Sequence, residues 1–177
     1  MQIQIVLANA GHVDQIANLY DRLNDYLAEG PNYPKWTKGV YPTRADAERG
    51  LQEGCLYIAK IGEAIAGTVI LNHRQEHAYN TVKWLSDCDD AEIMVIHTLA
   101  VSPDYLKHGV GQALLDFAAR HAKERRMRSL RLDVYANNAP AIRLYEKNSF
   151  IYIGTVDLGE KYRARGLEAF RLYELPL

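Results

Sequence analysis

The chain has 177 residues, of which 48% are hydrophobic and 24% charged, and its formal net charge at pH 7 is -1. This length suits one domain with a buried core, and the near-neutral charge argues against a nucleic-acid partner. No apolar run of about 18 residues occurs, so we expect no membrane span. The two cysteines, Cys55 and Cys88, form no CxxC pair. Their spacing is typical of a reducing compartment, and we expect a cytoplasmic protein.

The N-terminal third predicts one strand followed by two helices. Residues 2–7 alternate in polarity, which is typical of a strand, and Asn9 can cap the helix that follows. That helix is predicted from apolar residues spaced three and four apart: Val13, Ile16, Tyr20, Leu23 and Leu27. Residues 30–42 hold three prolines and two glycines and are expected to be irregular. Thr43 begins a second, shorter helix that ends near Gln52.

Three strands are predicted in the middle of the chain. Cys55–Lys60 and Ala64–Asn72 are joined by Ile61-Gly-Glu63 as a hairpin. Residues 73–91 form a polar connection. Ile93–Val101 is almost continuously apolar, which predicts a central strand buried on both faces.

The C-terminal third predicts helix, strand, helix and two more strands. The first helix ends near Arg126, and residues 130–134 alternate as a strand. Asn138 can cap the next helix, which has Pro140 in its first turn. The last strands are expected at about 150–156 and 168–175. The order β-α-α-β-β-β-α-β-α-β-β predicts a single α/β domain over residues 1–177.

The stretch from Val101 to Leu115 joins the predicted central strand to a helix through a turn that contains Gly109 and Gly111. A helix N-terminus offers free backbone N–H groups and a partial positive charge. Glycines allow a ligand to approach that backbone closely. The turn therefore predicts a phosphate cradle beside Leu99–Val101.

Two motifs in this order resemble the GNAT superfamily of N-acetyltransferases, which transfer acetyl from acetyl-coenzyme A to an amine. Leu106-Lys-His-Gly-Val-Gly111 is similar to the family's Arg/Gln-x-x-Gly-x-Gly/Ala turn, with Leu106 at the first position. The segment from Asn137 to Phe150 resembles its Asn-x-x-Ala-x-x-x-Tyr-x-x-x-Gly-Phe motif. Ser149 replaces the glycine there, and we expect Asn148 to adopt the left-handed conformation instead.

The resemblance implies a fold, a cosubstrate and a set of binding residues. The fold is a mixed, mostly antiparallel sheet of about seven strands with about four flanking helices. Acetyl-CoA is held by its pyrophosphate on backbone N–H groups and by its pantetheine arm along the central strand, which the family splays from the next strand. The positions that match are Leu99, Ala100, Val101, Lys107, His108, Gly109, Val110, Gly111, Gln112 and Asn137. Asn137 either bonds the cofactor arm or caps a helix.

The resemblance also implies catalytic roles. Tyr145 matches the family's general acid, which protonates or stabilises the leaving thiolate; a phenol has an ordinary pKa of about 10 and a thiol about 8.5. An alkylammonium must lose a proton before it can attack, so a base or a chain of water is needed. His97 on the central strand is our first prediction for that base, with Glu92 as a second. Tyr145 and His97 also have an ordinary structural reading as part of the core, and Glu92 ranks second because it lies further from the expected carbonyl position.

The acceptor is expected to bind near the irregular segment after the first helix, where Tyr33, Trp36 and Tyr41 cluster. A small amine, an amino-sugar antibiotic, a peptide N-terminus and a lysine side chain all remain open. A second hypothesis is a non-catalytic module that senses acetyl-CoA, and a third is another acyl-CoA donor. No histidine spacing suggests a metal site. We expect no membrane partner, and the resemblance makes a homodimer an option.

Overall fold

The computed structural model describes residues 2–177, which form seven strands and five α-helices, with short 3-10 turns. The strands are β1 (Gln4–Leu7), β2 (Leu56–Ile61), β3 (Ala64–Asn72), β4 (Ile93–Val101), β5 (Ser129–Tyr135), β6 (Ile151–Val156) and β7 (Phe170–Pro176). The helices are α1 (Val13–Glu29), α2 (Arg44–Gln52), α3 (Val110–Glu124), α4 (Ala139–Lys147) and α5 (Glu160–Arg163).

The strands form one mixed sheet in the order β1-β2-β3-β4-β5-β7-β6. Antiparallel pairs join β1 to β2, β2 to β3, β5 to β7 and β6 to β7, while β4 and β5 run parallel through Ile93–Val95. The predicted mixed, mostly antiparallel sheet is confirmed. The sequence did not predict α5, because its four residues are too few to show a helical period.

The chain divides into two compact units. The first unit contains the residues up to Asn32, together with Trp36–Leu71 and His97–Ala118. The second contains Tyr33–Lys35, Asn72–Ile96 and Ala119–Leu177. No helix within residues 2–177 is both long and apolar enough to cross a membrane.

Each unit has its own buried cluster. In the first, the predicted apolar stripe of α1 packs against β2 and β3, and its members include Ile16, Tyr20, Leu56, Ile58 and Ile70. In the second, Tyr79 packs with Ile93, Val95 and Leu172. Burial of this apolar surface is the main favourable contribution to folding.

The ends of two helices show where short-range signals succeed and fail. Asn9 caps a 3-10 turn that leads into α1, as its side chain accepts from the N–H of Gly11 at 2.9 Å. At the end of α4, Ser149 has a φ of 64°, whereas Asn148 has a φ of -96°. The expectation that Asn148 would be left-handed was wrong. Asn148 still belongs to the last helical turn, where its side chain donates to the carbonyl of Leu144 at 2.7 Å.

Candidate active site

The predicted cofactor cradle lies in the first unit, after the end of β4. The N–H of Ser102 donates to the carbonyl of Ala66 on β3 at 2.9 Å, which holds the end of β4 in place. In the turn that follows, Lys107 and Gly109 both have left-handed backbones, with φ of 64° and 80°. Turns of this kind point successive N–H groups towards one side and form a concave anion site.

The cradle has room for a ligand. A side chain at Gly109 would meet no atom within 4 Å of its Cβ. The first helical hydrogen bond of α3 runs from the N–H of Ala113 to the carbonyl of Gly109 at 2.9 Å. The N–H groups of Val110 and Gly111 therefore precede the repeating pattern of the helix. Backbone donors, open space and the dipole of a 15-residue helix fit a pyrophosphate.

Side chains around the cradle supply charge and local order. Lys107 and His108 are both exposed. The His108 ring nitrogen Nδ1 lies 2.9 Å from the carbonyl oxygen of Leu106, so that ring is held by its own turn. Gln112 donates to Asp116 one helical turn later at 2.8 Å. Leu106 is uncharged and stands where the family has Arg or Gln. The exposed ammonium of Lys107 can supply positive charge near the cradle instead.

The last part of β4 is tightly packed on β3. Ala100 is buried, while Leu99 and Val101 are half-buried. A Cβ at Gly67 on β3 would lie 2.8 Å from the carbonyl oxygen of Ala100 and 2.8 Å from a methyl of Val110. Only glycine permits this approach, so the end of β4 is packed closely on β3.

The aromatic segment predicted to bind the acceptor is ordered by its own contacts. The rings of Trp36 and Tyr41 pack edge to face with centroids 5.5 Å apart. The side chain of Asn32 donates to the carbonyl of Trp36 at 2.7 Å and accepts from its N–H at 3.1 Å. The hydroxyls of Tyr41 and Thr98 share a hydrogen bond of 2.5 Å. Tyr33 belongs to the second unit and is 44% exposed.

Tyr145, the predicted general acid, lies on α4 in the second unit and is 7% exposed. Its ring packs against Phe150 and Tyr173, with centroid distances of 5.9 Å and 6.4 Å. These contacts place Tyr145 firmly in the core of the second unit. Its catalytic role stays a prediction.

Asn137 was predicted either to cap a helix or to bond the cofactor arm, and the structure gives the cap to its neighbour. The cap of α4 is Asn138, whose side chain accepts from the N–H of Ala141 at 3.5 Å. Asn137 is exposed, and its amide donates to the hydroxyl of Tyr135 at 3.2 Å. Asn137 is therefore not needed as a cap, and its exposed amide is compatible with a ligand.

Asp133 on β5 is a candidate that sequence reasoning missed. Its carboxylate accepts a hydrogen bond of 2.7 Å from the hydroxyl of Tyr79. Burial raises the pKa of Asp133 to about 6; the Tyr79 hydrogen bond opposes the rise, the charge of Glu76 adds to it, and Lys161 opposes it. A carboxylate with such a pKa can accept a proton near neutral pH.

The surroundings of Asp133 come from two distant segments. Tyr79 lies in a 3-10 turn after β3 and is fully buried, and burial beside Asp133 raises its own pKa well above the ordinary value. On α5, the hydroxyl of Tyr162 donates to Glu76 at 2.7 Å, and the Lys161 ammonium lies 3.9 Å from the same carboxylate. The alternation of β5 puts Asp133 on one face with Arg131 and Tyr135. This alternation was the sequence feature that could have pointed to Asp133.

Asp133 and Tyr145 lie on opposite faces of the β5–β7 ribbon. Asp133 pairs in register with Leu172, which packs in the cluster around Tyr79. The next pair, Leu132 and Tyr173, faces the other way. Tyr145 stacks on Tyr173 and therefore belongs to that second face.

The two base candidates from the sequence differ in their surroundings. Glu92 accepts a hydrogen bond from the N–H of Asp89 at 3.0 Å and lies 3.4 Å from Arg128. These contacts give it a structural role in the turn before β4. His97 is half-buried on β4 in the first unit. It stays a candidate for the base.

The fold and the order of the two motifs define the class of protein to which the chain belongs. The sequence profile of the acetyltransferase (GNAT) family matches residues 16–150. The chain belongs to this family, as the two motifs predicted, and acetyl-CoA is the cosubstrate that the family uses. The predicted family is therefore confirmed. Among residues 2–177, no group of three or more His, Cys, Asp or Glu side chains is arranged to hold a metal ion.

Particular relatives cover the chain to different extents. Streptothricin acetyltransferase of Escherichia coli is 29% identical over 156 residues, which is 82% of this chain and 80% of the relative. The [ribosomal protein bS18]-alanine N-acetyltransferase of Escherichia coli is 42% identical over 55 residues, 31% of this chain and 37% of that enzyme. The chain covers about a third of the length of the first two curated relatives, at 30% and 37%.

Solved structures show the same fold. A GNAT-family acetyltransferase from Streptococcus agalactiae superposes with a TM-score of 0.79 at 20% identity, covering 99% of this chain and 95% of that one. A structure described as a putative acetyltransferase from Salmonella typhimurium, with its cofactor acetyl-CoA, has a TM-score of 0.66 at 16% identity, covering 99% and 94%.

Proposed function

We propose that this protein is an acetyl-CoA-dependent N-acetyltransferase that transfers acetyl to a primary amine by direct attack on the thioester. We also propose that residues 1–177 act as one N-acetyltransferase domain. The cradle at Lys107–Gln112 holds the pyrophosphate through backbone N–H groups, and Lys107 adds charge. Asn137 bonds the pantetheine arm. The cosubstrate supplies an activated acetyl group, and the remaining chemistry belongs to side chains and backbone of this chain.

Each bond change has a residue assigned to it. Asp133 takes a proton from the acceptor ammonium, which leaves a neutral amine nitrogen to form the new C–N bond. The N–H of Leu99 stabilises the charge that develops on the acetyl oxygen. As the C–S bond breaks, Tyr145 donates its phenol proton to the coenzyme A thiolate. The second nitrogen proton leaves as the tetrahedral adduct collapses and restores the Tyr145 phenol, and Asp133 releases its proton to solvent. The products are the N-acetylated amine and free coenzyme A.

The observation that carries this proposal is the placement of Asp133, whose half-buried carboxylate accepts a hydrogen bond of 2.7 Å from the Tyr79 hydroxyl. A pKa of about 6 suits a residue that must be ionised at neutral pH and must still accept a proton. Asp133 therefore supports the enzyme over the sensor hypothesis.

The acceptor we favour is a small cationic amine. Streptothricin acetyltransferase matches most of this chain, whereas the ribosomal-protein acetyltransferase matches a 55-residue segment. The carboxylates of Asp133 and Glu76 add negative charge to one part of the second unit. This charge favours an ammonium group over a neutral or anionic acceptor.

The test measures free coenzyme A thiol released from acetyl-CoA across streptothricin, polyamines, aminoglycosides, amino acids and alanine-starting peptides. We expect amine-dependent release, strongest with a small cationic amine. Asp133→Asn and His97→Gln are assayed in parallel to identify the base. Loss of turnover in the Asp133 variant alone supports the assignment, and loss in the His97 variant alone transfers the role to His97. Tight acetyl-CoA binding with no release for any amine would favour the sensor.

A further inference from the structure

Thr98 is the one residue of β4 with a positive φ, at 46°, among the described residues of that strand. A β-branched residue rarely adopts this conformation, because its side chain crowds the backbone. Such a residue persists only where surrounding structure holds it, and these positions concentrate at functional sites. Thr98 is 8% exposed, so its neighbours determine its conformation.

The side chain of Thr98 is held by Tyr41. Their hydroxyl oxygens are 2.5 Å apart. Tyr41 is itself fixed from several directions: its ring packs on Trp36, and its N–H donates to the carbonyl of Thr37 at 3.0 Å. Asn32 bonds both backbone groups of Trp36. The aromatic segment is therefore well ordered, and its Tyr41 hydroxyl forms a hydrogen bond with Thr98, the irregular residue of β4.

The backbone at Thr98 sets the direction of the next amide. The N–H of Leu99 belongs to the peptide plane that follows Thr98, so a return of Thr98 to an extended conformation would turn this N–H. The burial pattern of β4 also changes here, from four consecutive buried residues at Ile93–Ile96 to alternation from His97 onwards. Irregular positions in strands commonly redirect backbone and side chains near active sites.

We propose that Tyr41 is a positioning residue that acts through Thr98: its hydroxyl holds Thr98 in the left-handed conformation and so aims the N–H of Leu99 at the acetyl oxygen. This inference rests on the proposed function, which assigns that N–H to the carbonyl. It changes the role of Tyr41 from an acceptor contact to a part of the carbonyl site. The aromatic segment then links acceptor binding to the polarisation of the thioester.

The test compares Tyr41→Phe, Thr98→Val and the double variant with wild type. Tyr41→Phe keeps the ring on Trp36 and removes only the hydroxyl. Because a small misalignment of a catalytic group is costly, we expect each single change to lower kcat about tenfold. The KM for the acceptor and the Kd for acetyl-CoA should stay unchanged. The double variant should lose no more than either single variant, since both remove one interaction.

Rescue and a control complete the design. Glycine adopts a positive φ without help, so Thr98→Gly in the Tyr41→Phe protein should restore most of the lost kcat. Tyr26→Phe is the matched control, because it removes the same hydroxyl from an exposed tyrosine of α1. Tyr26 is 51% exposed, and its variant should leave kcat unchanged. A raised acceptor KM at unchanged kcat, or additive losses in the double variant, would overturn the proposal.

A readout without turnover separates this inference from the proposed function. The amide shift of Leu99 in ¹⁵N-labelled protein should move in Tyr41→Phe and move back on adding Thr98→Gly. An unmoved Leu99 amide overturns the positioning role, even in an active enzyme. Wild-type protein that releases no coenzyme A with any amine overturns the proposed function, and the Leu99 amide then still decides whether Tyr41 sets this backbone.

Discussion

Replacing Asp133 with asparagine is expected to stabilise the fold at neutral pH while it removes acetyl transfer. The pKa of Asp133 is raised from 3.8 to about 6 by burial. At about 1.36 kcal/mol per pKa unit, ionised Asp133 lowers the free energy of unfolding by about 3 kcal/mol. Asparagine has the same shape without the charge, and it can still accept from the Tyr79 hydroxyl.

The gain depends on pH in a defined direction. Well below pH 3.8, Asp133 is protonated in both folded and unfolded chains, so the substitution changes little. Between about pH 4 and 6 the unfolded chain releases its proton first, and the wild type loses stability relative to the variant. Above about pH 6 the difference is constant. Urea unfolding of both proteins from pH 4 to 8, followed by circular dichroism, measures this difference.

Asp157→Asn is a matched control with the opposite sign. Asp157 accepts from the N–H of Gly159 and from Arg163, and these bonds lower its pKa. Its ionised form therefore contributes stability at neutral pH, which is lost as pH falls through the lowered pKa. Asp157→Asn should destabilise at pH 7 and have little effect at low pH. An Asp133→Asn protein that is less stable than wild type at pH 8, or a difference without pH dependence, would refute the reasoning.

Four further predictions concern catalysis and packing. Tyr79→Phe removes a hydrogen bond that lowers the pKa of Asp133, so the acid limb of kcat/KM should move above about pH 6; an unmoved limb would separate Asp133 from catalysis. Gly109→Glu puts a carboxylate in the cradle and should abolish acetyl-CoA binding by calorimetry without unfolding the protein; retained affinity would remove the cradle assignment. Tyr145→Phe should lower kcat by roughly 10²-fold at similar acetyl-CoA affinity, and unchanged kcat would make this tyrosine structural. Gly67→Ala places a methyl 2.8 Å from a carbonyl oxygen and should cost about 1–3 kcal/mol in thermal unfolding, whereas a neutral result would mean that the strands can separate.

Sequence determined the fold and the position of the glycine turn, because these depend on neighbours along the chain. The apolar period of α1 and the glycine turn at Gly109 are local patterns that appear in the structure as expected. The apolar run of β4 also forms a strand, but it is continuously buried only over Ile93–Ile96. Two ordered motifs were enough to predict the family. Short-range reasoning failed by one position at Ser149, where the residue after the helix cap takes the left-handed backbone.

Only the tertiary structure decided which side chains have unusual chemistry. Asp133 looks like an ordinary polar residue on an alternating strand. Its pKa rises because the fold buries it and brings the charge of Glu76 near it, and these effects outweigh the hydrogen bond from Tyr79. Tyr41 likewise reads as one aromatic among several, until the fold brings its hydroxyl to Thr98. Local propensity sets the backbone, whereas desolvation and long-range hydrogen bonds set reactivity.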